Sequence, residues 1–295
     1  MKIAAIVSTK GGPGKTTVGA NLGAFCADAG LRTLLIDLDN QPSLSSFYAL
    51  LHEAPGGTYQ LIANNETRAD QVISHTCIPN LSLIHSNDPF NQLSNLLLHA
   101  ADGRLRLKNL MPAFEGDFDL ILIDTQGARS ILLEMALLGA QMAISPITPD
   151  MLTAREFHRG MLQLYRDLEP LAALGAVTPP LNVVINKLDA TNDANLIYQS
   201  LAETFSDHPQ VQMVRTTIPA AVSFRRAATE GTPAHRLEYR LPTHRRSPTA
   251  FKVIKDLSME LFPEWRLKFE ALSEERLSQN VSLLSKRAPL GRAAV

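Results

Sequence analysis

The segment Lys10 to Thr17, Lys-Gly-Gly-Pro-Gly-Lys-Thr-Thr, constrains this chain more than any other part of it. It follows an apolar run, Ile3–Val7, that predicts a buried strand, and it precedes a helical pattern that Gly30 ends. In such a loop, glycines let backbone N–H groups converge on an anion, and the helix start adds partial positive charge. A strand, a glycine loop and a helix in this order predict a site for phosphate groups.

The residue types in the loop assign expected roles. Lys15 would reach the β- and γ-phosphates of a nucleotide, and the Thr16 hydroxyl would bind Mg²⁺. The common pattern G-x-x-x-x-G-K-[ST] is not met, because Thr9 stands where its first glycine belongs. Proline has no N–H, so Pro13 removes one possible phosphate donor. The residues expected to bind nucleotide are Gly11, Gly12, Pro13, Gly14, Lys15, Thr16 and Thr17.

Composition excludes several classes of protein. In 295 residues, 45% are hydrophobic and 19% charged, which is ordinary for a soluble globular protein, and the net charge of −1 gives no overall basic field. Cys26 and Cys77 do not form a C-x-x-C pair, so we expect neither disulfides nor a zinc site, and a reducing cytoplasm fits. No apolar stretch is long enough to span a bilayer, and we expect no signal peptide before the first strand.

Apolar runs alternate with helical patterns along the chain, which predicts an α/β fold with a mostly parallel sheet and helices on both faces. We expect one domain over residues 1–295, with a helical C-terminal segment at about 251–284 and a basic tail at 285–295. The expected strands are Ile3–Val7, Thr33–Ile36, Leu81–Ile84, Leu120–Ile123, Met142–Ser145, Leu181–Ile185 and Val211–Val214.

Polar residues follow three of these strands, where ligands of parallel sheets bind. Asp124 ends an apolar strand, as an aspartate supporting Mg²⁺ would, and Gly127 completes a D-x-x-G pattern that either approaches a γ-phosphate or is a plain turn. Asp37 and Asp39 follow the second strand, and Asn186 follows the sixth. Together with the loop they predict a nucleotide site at this edge.

The variant loop K-G-G-x-G-K-T-T resembles the deviant Walker A loop of the ParA/MinD family of P-loop ATPases, and is closest to the ParA/Soj-type partitioning proteins. The segment from Asp37 to Pro42 is similar to the family's D-x-D-P-Q segment, whose proline stands earlier. The resemblance covers about residues 1–233. It implies ATP and Mg²⁺ as cofactors, with the metal at Thr16, Asp39 and Asp124. It also implies that Lys10 reaches the nucleotide of a partner subunit and that Asp39 orients or activates the attacking water. The implied catalytic residues are Lys10, Lys15, Asp39 and Asp124.

The base-binding region leaves two alternatives open. Asn186-Lys187-Leu188-Asp189 has the N-K-x-D form that reads guanine in GTPases, whereas ParA/MinD proteins often place an asparagine here that contacts adenine. Pro219 lies in a segment that resembles the family's I-P…G-x-P region near the base. We favour ATP, and GTP stays an alternative.

The DNA-contacting positions depart from the family's pattern. Its I-P-R-N-V-R run becomes Ile218-Pro219-Ala220-Ala221-Val222-Ser223 here, so both arginines are absent. Residues 215–246 nevertheless hold seven arginines against two glutamates, which marks a surface for an anionic partner. Either these arginines contact DNA phosphates or they lie on a solvated helix face. The candidate DNA contacts are Arg225, Arg226, Arg245 and Arg246.

The resemblance implies a slow ATPase that partitions DNA. An ATP-dependent sandwich homodimer would bind DNA without sequence preference, and hydrolysis, stimulated by a centromere-binding ParB-like protein, would release it. We expect it in the cytoplasm at the nucleoid. The alternatives are a GTPase of the same superfamily and a MinD-like membrane switch. We do not expect membrane binding, because the stripe of Leu277, Val281 and Leu284 is thin and lacks Phe and Trp.

Overall fold

The computed structural model describes residues 1–189, 192–205, 209–241 and 247–285. The strands among these residues are β1 (Lys2–Ile6), β2 (Thr33–Asp37), β3 (Leu50–His52), β4 (Ser74–Thr76), β5 (Leu81–Ile84), β6 (Leu120–Asp124), β7 (Met142–Ile147), β8 (Leu181–Ile185) and β9 (Val211–Met213). They form a nine-stranded sheet in the spatial order β3-β4-β5-β2-β6-β1-β7-β8-β9.

Helices connect and cover these strands. Within the same ranges they are α1 (Lys15–Asp28), α2 (Thr58–Ala63), α3 (Ala69–Val72), α4 (Gln92–His99), α5 (Arg106–Leu110), α6 (Ile131–Gly139), α7 (Met151–Leu168), α8 (Asn192–Phe205), α9 (Val222–Glu230), α10 (Ala234–Leu237), α11 (Ala250–Leu261), α12 (Arg266–Ala271) and α13 (Glu274–Ser285). Short 3₁₀ turns lie at Pro89–Asn91, Gly103–Leu105, Met111–Phe114, Glu169–Leu174 and Pro263–Trp265.

The seven strands from β5 to β9 in that order run parallel, which confirms the predicted α/β fold. Each of the seven predicted strands is present, with ends that differ by two residues or fewer. The prediction missed β3 and β4, which pair antiparallel at one edge. Both are three residues long, and Ser74-His75-Thr76 contains no apolar run.

Two apolar clusters cover the two faces of the sheet, because alternate side chains of each strand point to opposite sides. Leu34 and Ile36 join the cluster that includes α6 and α7. Leu35, between them, joins the cluster that includes α1 and α11. Burial on both faces explains why these strands read as continuous apolar runs.

The C-terminal segment consists of several helices and is not continuous. A turn at Pro263–Trp265 separates α11 from α12, and α13 follows. Leu277 is fully buried in the cluster around α1, so it packs in the core and not on a lipid-facing surface. In the part of the chain that the structure describes, no helix is long and apolar enough to cross a membrane. The basic tail after Ser285 lies outside the described residues.

The sheet brings the predicted site residues together at one edge. In the registers of β2 with β6 and of β1 with β6, Asp124 is paired with Asp37 on one side and with Ile6 on the other. The loop after β1 is therefore flanked by the carboxyl ends of β6 and β7, which is where parallel sheets bind ligands.

Candidate nucleotide-binding site

The phosphate loop joins β1 to α1 and is shaped by its glycines. Gly12 and Gly14 have φ angles of 93° and 91°, which residues other than glycine rarely adopt. A Cβ at Gly14 would also lie 2.4 Å from Nδ2 of Asn186. Helix α1 begins at Lys15 with no side-chain cap, so the N–H groups of its first turn, which includes Thr16 and Thr17, are available to an anion.

The turn after β8 holds the loop from the other side. Nδ2 of Asn186 donates a 2.7 Å hydrogen bond to the Pro13 carbonyl, and its Oδ1 accepts from the backbone N–H of Lys187. Nζ of Lys187 donates to the Gly12 carbonyl at 2.9 Å. Lys187 has a φ of 58°, an uncommon value for a residue with a side chain. Two successive carbonyls of the loop are thus fixed by one turn.

This geometry bears on the predicted base contact. Both polar groups of the Asn186 side chain are engaged by protein atoms, and the residue is 5% exposed. A role for Asn186 at the base stays a prediction, and its visible role is to support the loop. Pro219 lies beside this turn, because residues 188 and 219 form a parallel bridge and the Leu188 N–H donates to the Ile218 carbonyl.

Lys15, Thr16 and Asp124 form the centre of the site. The Thr16 hydroxyl donates a 2.6 Å hydrogen bond to Oδ2 of Asp124, which is fully buried. Burial raises the pKa of Asp124 to about 7, against the opposing effect of the Thr16 hydrogen bond. Lys15 is also buried, and burial lowers the pKa of its ammonium group, whereas the charges of Asp124 and Asp39 raise it.

The chemistry of this centre fits a magnesium ion. Oδ1 of Asp124 is buried and has no hydrogen-bond partner among the residues that the structure describes, and an unpaired buried carboxylate oxygen is unfavourable. Mg²⁺ prefers oxygen ligands and usually binds through one or two carboxylates together with substrate phosphates. A buried carboxylate oxygen next to the Thr16 hydroxyl at the start of α1 is such a donor set.

The two aspartates after β2 have different environments. Oδ2 of Asp37 accepts from the N–H and the hydroxyl of Ser45, both at 2.7 Å, and its Oδ1 accepts from the Asp39 N–H. Burial raises the pKa of Asp37 to about 6. Asp39 is partly exposed and accepts from the Gln41 N–H. Asp37 therefore fixes the loop, and Asp39 is the carboxylate that solvent can reach.

Lys10 is held by a residue that the sequence analysis missed. Its ammonium group pairs with Oε2 of Glu156 on α7 at 2.5 Å, and both side chains are almost half exposed. Lys10 borders a cleft of about 230 Å³ between the loop and the end of β7, which Thr148 also lines. Asp150 caps α7 by accepting from the Thr153 N–H, and this capping pattern after a strand was the signal that could have pointed to α7.

Gly127 packs against the phosphate loop, beyond what a plain turn requires. A Cβ at this position would lie 2.6 Å from the Cα and 2.8 Å from the N of Gly11. These are backbone atoms, so they cannot move aside as a flexible side chain would. The segment after β6 therefore lies directly on the loop, and only glycine fits.

The candidate DNA contacts lie away from this centre. Arg225 and Arg226 are exposed on α9, and Arg226 pairs with Glu230 at 2.6 Å. Arg225 has no ion pair among the residues that the structure describes. Arg245 and Arg246 lie outside the described residues, and all four contacts stay predictions.

Comparison with known proteins places the chain in a family. A family model described as "AAA domain" matches residues 1–173. The sporulation initiation inhibitor protein Soj of Bacillus subtilis is 27% identical over 241 residues, 79% of this chain and 89% of Soj. The chromosome partitioning protein ParA of Caulobacter vibrioides is 25% identical over 235 residues, 79% of this chain and 86% of ParA. The ATP complex of a Cyanothece McdA variant has a TM-score of 0.69, with 21% identity and 96% of each chain covered.

A parallel sheet with a glycine loop leading into α1, and a Thr16–Asp124 pair beside it, defines a P-loop nucleotide-binding protein. Its extra lysine, Lys10, stands before the paired glycines. The chain belongs to the AAA domain family that matches it, and within that family it is a ParA/MinD-type ATPase close to the partitioning proteins.

Proposed function

We propose that this protein is a ParA-like ATPase that partitions DNA, with ATP and Mg²⁺ as its ligands. The observation that carries the proposal is a phosphate loop with two lysines in different settings. Lys15 is buried at the start of α1, and Lys10 is half exposed at the rim. A second lysine at the rim has a clear use when the nucleotide of another subunit approaches it.

Each residue of the centre has a role in holding the nucleotide. Lys15 and the N–H groups at the start of α1 bind the β- and γ-phosphates. The Thr16 hydroxyl and Oδ1 of Asp124 hold the metal. When bound, Mg²⁺ neutralises the charge that develops on the phosphate oxygens during transfer. Asp124 must be ionised for this, and the neighbouring Lys15 ammonium favours that form.

Asp39 is the candidate for orienting the attacking water. Its Oδ1 accepts from the Gln41 N–H, which fixes the carboxylate, and the residue is partly exposed, so water reaches it. A carboxylate within reach of the attacking water accepts its proton as the bond to phosphorus forms. Asp37 and Ser45 hold the loop that carries Asp39 in place.

When ATP drives dimerisation, the Lys10 ammonium group would leave Glu156 and bind the ATP phosphates of the partner subunit. In the single chain its charge is matched by Glu156. The phosphates of a partner's ATP carry more negative charge than one carboxylate, so they compete for the ammonium group. The homodimer would then be stable with ATP and would separate after hydrolysis, which makes the γ-phosphate the switch.

DNA binding would use phosphate contacts without base contacts. Arg225 is exposed on α9 with its charge unmatched among the described residues, whereas Glu230 matches that of Arg226. Contacts to phosphates give affinity without sequence preference. The proposal includes a ParB-like, centromere-binding partner that stimulates slow hydrolysis. It also places the protein at the nucleoid. Relatives named as partitioning proteins support it.

The test is DNA binding by the purified protein with ATP, ADP, GTP or no nucleotide, at low and at moderate salt. We expect binding with ATP alone, weakening as salt rises, and none by the Lys15→Ala variant. The same samples are measured for dimer formation by sedimentation velocity. A wild-type protein that stays monomeric and ignores DNA with every nucleotide contradicts the proposal.

GTP is the second candidate ligand, and one observation favours it. Asn186 and Lys187 are both engaged with the loop, which leaves Asp189 as the exposed carboxylate of the N-K-x-D segment. A carboxylate at that place would accept hydrogen bonds from guanine. Binding to DNA with GTP in place of ATP would select this candidate.

A further inference from the structure

The loop after β5 holds a phenylalanine out in solvent. Phe90 is 95% exposed, and its backbone lies in the left-handed region, with φ 59° and ψ 25°. Asn91 after it has a φ of 59° as well. A bulky residue in this region is strained, and such strain persists only where the surrounding structure imposes it. An exposed aromatic ring on strained backbone therefore needs an explanation.

Hydrogen bonds on both sides of Phe90 impose its position. On one side, the Asp88 carboxylate accepts from the N–H groups of Gln92 and Leu93, at 2.9 and 3.1 Å, and so caps α4. On the other side, the Ser86 hydroxyl donates to the carbonyl of Asp39 at 2.7 Å. The loop that carries Phe90 is thus attached directly to the loop that carries the proposed catalytic carboxylate.

The position of Phe90 relative to the sheet limits which partner can cover its ring. It follows the carboxyl end of β5, at the same edge of the sheet as the phosphate loop and Asp39. In the proposed dimer this edge faces a second copy, because Lys10 must reach the partner's nucleotide.

The negative charge around Phe90 argues against DNA or an anionic membrane as the partner that covers it. Two carboxylates, Asp88 and Asp39, lie on the loops beside Phe90, and they repel DNA phosphates and anionic lipid head groups. On the phosphate-loop side of the same edge Lys187 is exposed, and its ammonium group has N–H donors beyond the one that it gives to the Gly12 carbonyl. A second copy, apposed edge to edge, brings this cation towards the acidic side.

We propose that Phe90 packs against a second copy of this chain in the ATP-bound dimer and anchors that interface. This inference rests on the proposed function, since it needs the nucleotide-dependent dimer. A rigid aromatic ring that becomes fully buried is typical of the few residues that dominate an interface. Each copy contributes one such ring in a twofold dimer, so its loss acts twice.

The experiment compares Phe90→Ser with Leu98→Ser by sedimentation velocity, in a non-hydrolysable ATP analogue with Mg²⁺. Leu98 is the matched control, because it is a large apolar residue, 60% exposed, on the next helix. We expect Phe90→Ser to raise the dimer dissociation constant at least about tenfold, since loss of an interface anchor has effects of this size. Leu98→Ser and Phe90→Tyr should dimerise like the wild type, and nucleotide affinity should be unchanged in all of them.

Three outcomes contradict the inference. Phe90→Ser could dimerise like the wild type, or Leu98→Ser could weaken the dimer as much. Phe90→Ser could also keep the dimer and lose binding to DNA or to anionic vesicles, which would assign the ring to that partner. In each of these the proposed function stands. A wild-type protein that stays monomeric with the analogue overturns the proposed dimer itself.

Discussion

Asn186 should control the affinity for every nucleotide without affecting the choice of base. The Asn186→Ala variant loses the 2.7 Å hydrogen bond to the Pro13 carbonyl and the acceptor for the Lys187 N–H, at a position that is 5% exposed. A buried group left unpaired costs about 1 to 3 kcal/mol. If about 2 kcal/mol of this cost destabilises the loop conformation that binds phosphate, nucleotide affinity drops about thirtyfold.

The assay is competition of ATP and GTP against a fluorescent nucleotide, with thermal unfolding to check that the variant folds. Because the loop binds phosphates, the dissociation constants for ATP and GTP should rise by the same factor. Asp189→Asn is the comparison variant, since Asp189 is exposed on the same turn and, if it binds guanine, its loss weakens GTP alone. A variant whose ATP affinity falls while its GTP affinity holds, or the reverse, would show that Asn186 contacts the base and does not act through the loop alone.

Other predictions follow from single contacts. Asp39→Ala should still bind ATP, persist as a dimer and lose at least about a hundredfold in turnover; turnover equal to the wild type would remove Asp39 from catalysis. Gly127→Ala should displace the loop by contact with the Gly11 backbone, at about 1 to 3 kcal/mol, and ATP titration should show at least about fivefold weaker binding; wild-type affinity contradicts the close contact. Burial raises the pKa of Asp28, but hydrogen bonds from Arg236 and His235 outweigh it and lower that pKa from 3.8 to about 2. This group therefore stabilises the fold above about pH 4 and loses about 2 kcal/mol as the pH falls towards 2. Denaturant unfolding of Asp28→Asn should show a shallower acid dependence, and an unchanged slope argues against the ion pair.

The strands of the central sheet could be predicted because burial on both faces leaves a plain signal. Ile121 and Leu122 lie on opposite faces and are both apolar, so the run is continuous. The two short strands at the margin of the sheet give no such signal. Ser74-His75-Thr76, which pairs with both β3 and β5, is only three residues long and has the composition of a loop. The break in the C-terminal helices at Pro263 is a local signal that the sequence does contain.

The sequence indicates which residue types form the site better than it indicates which contacts these residues make. A motif states that a lysine or an asparagine is present, but the direction of its side chain depends on neighbours distant in sequence. Lys10 meets Glu156 because α7 starts at the same edge of the sheet, and no pattern near Lys10 indicates this. Asn186 turns to the loop because Gly14 has no Cβ to exclude it. The strained backbone at Phe90 has no sequence signature at all.

The action of Lys10 across a dimer is tested by mixing two inactive variants, Lys10→Ala and Asp39→Ala, and measuring ATP hydrolysis. If Lys10 acts on the partner's nucleotide, a mixed dimer has one complete site, with Asp39 from one copy and Lys10 from the other. In an equal mixture half of the dimers are mixed, so we predict about a quarter of wild-type activity. A mixture that is as inactive as its components would show that Lys10 does not act on the nucleotide of the partner subunit, which contradicts the proposed function.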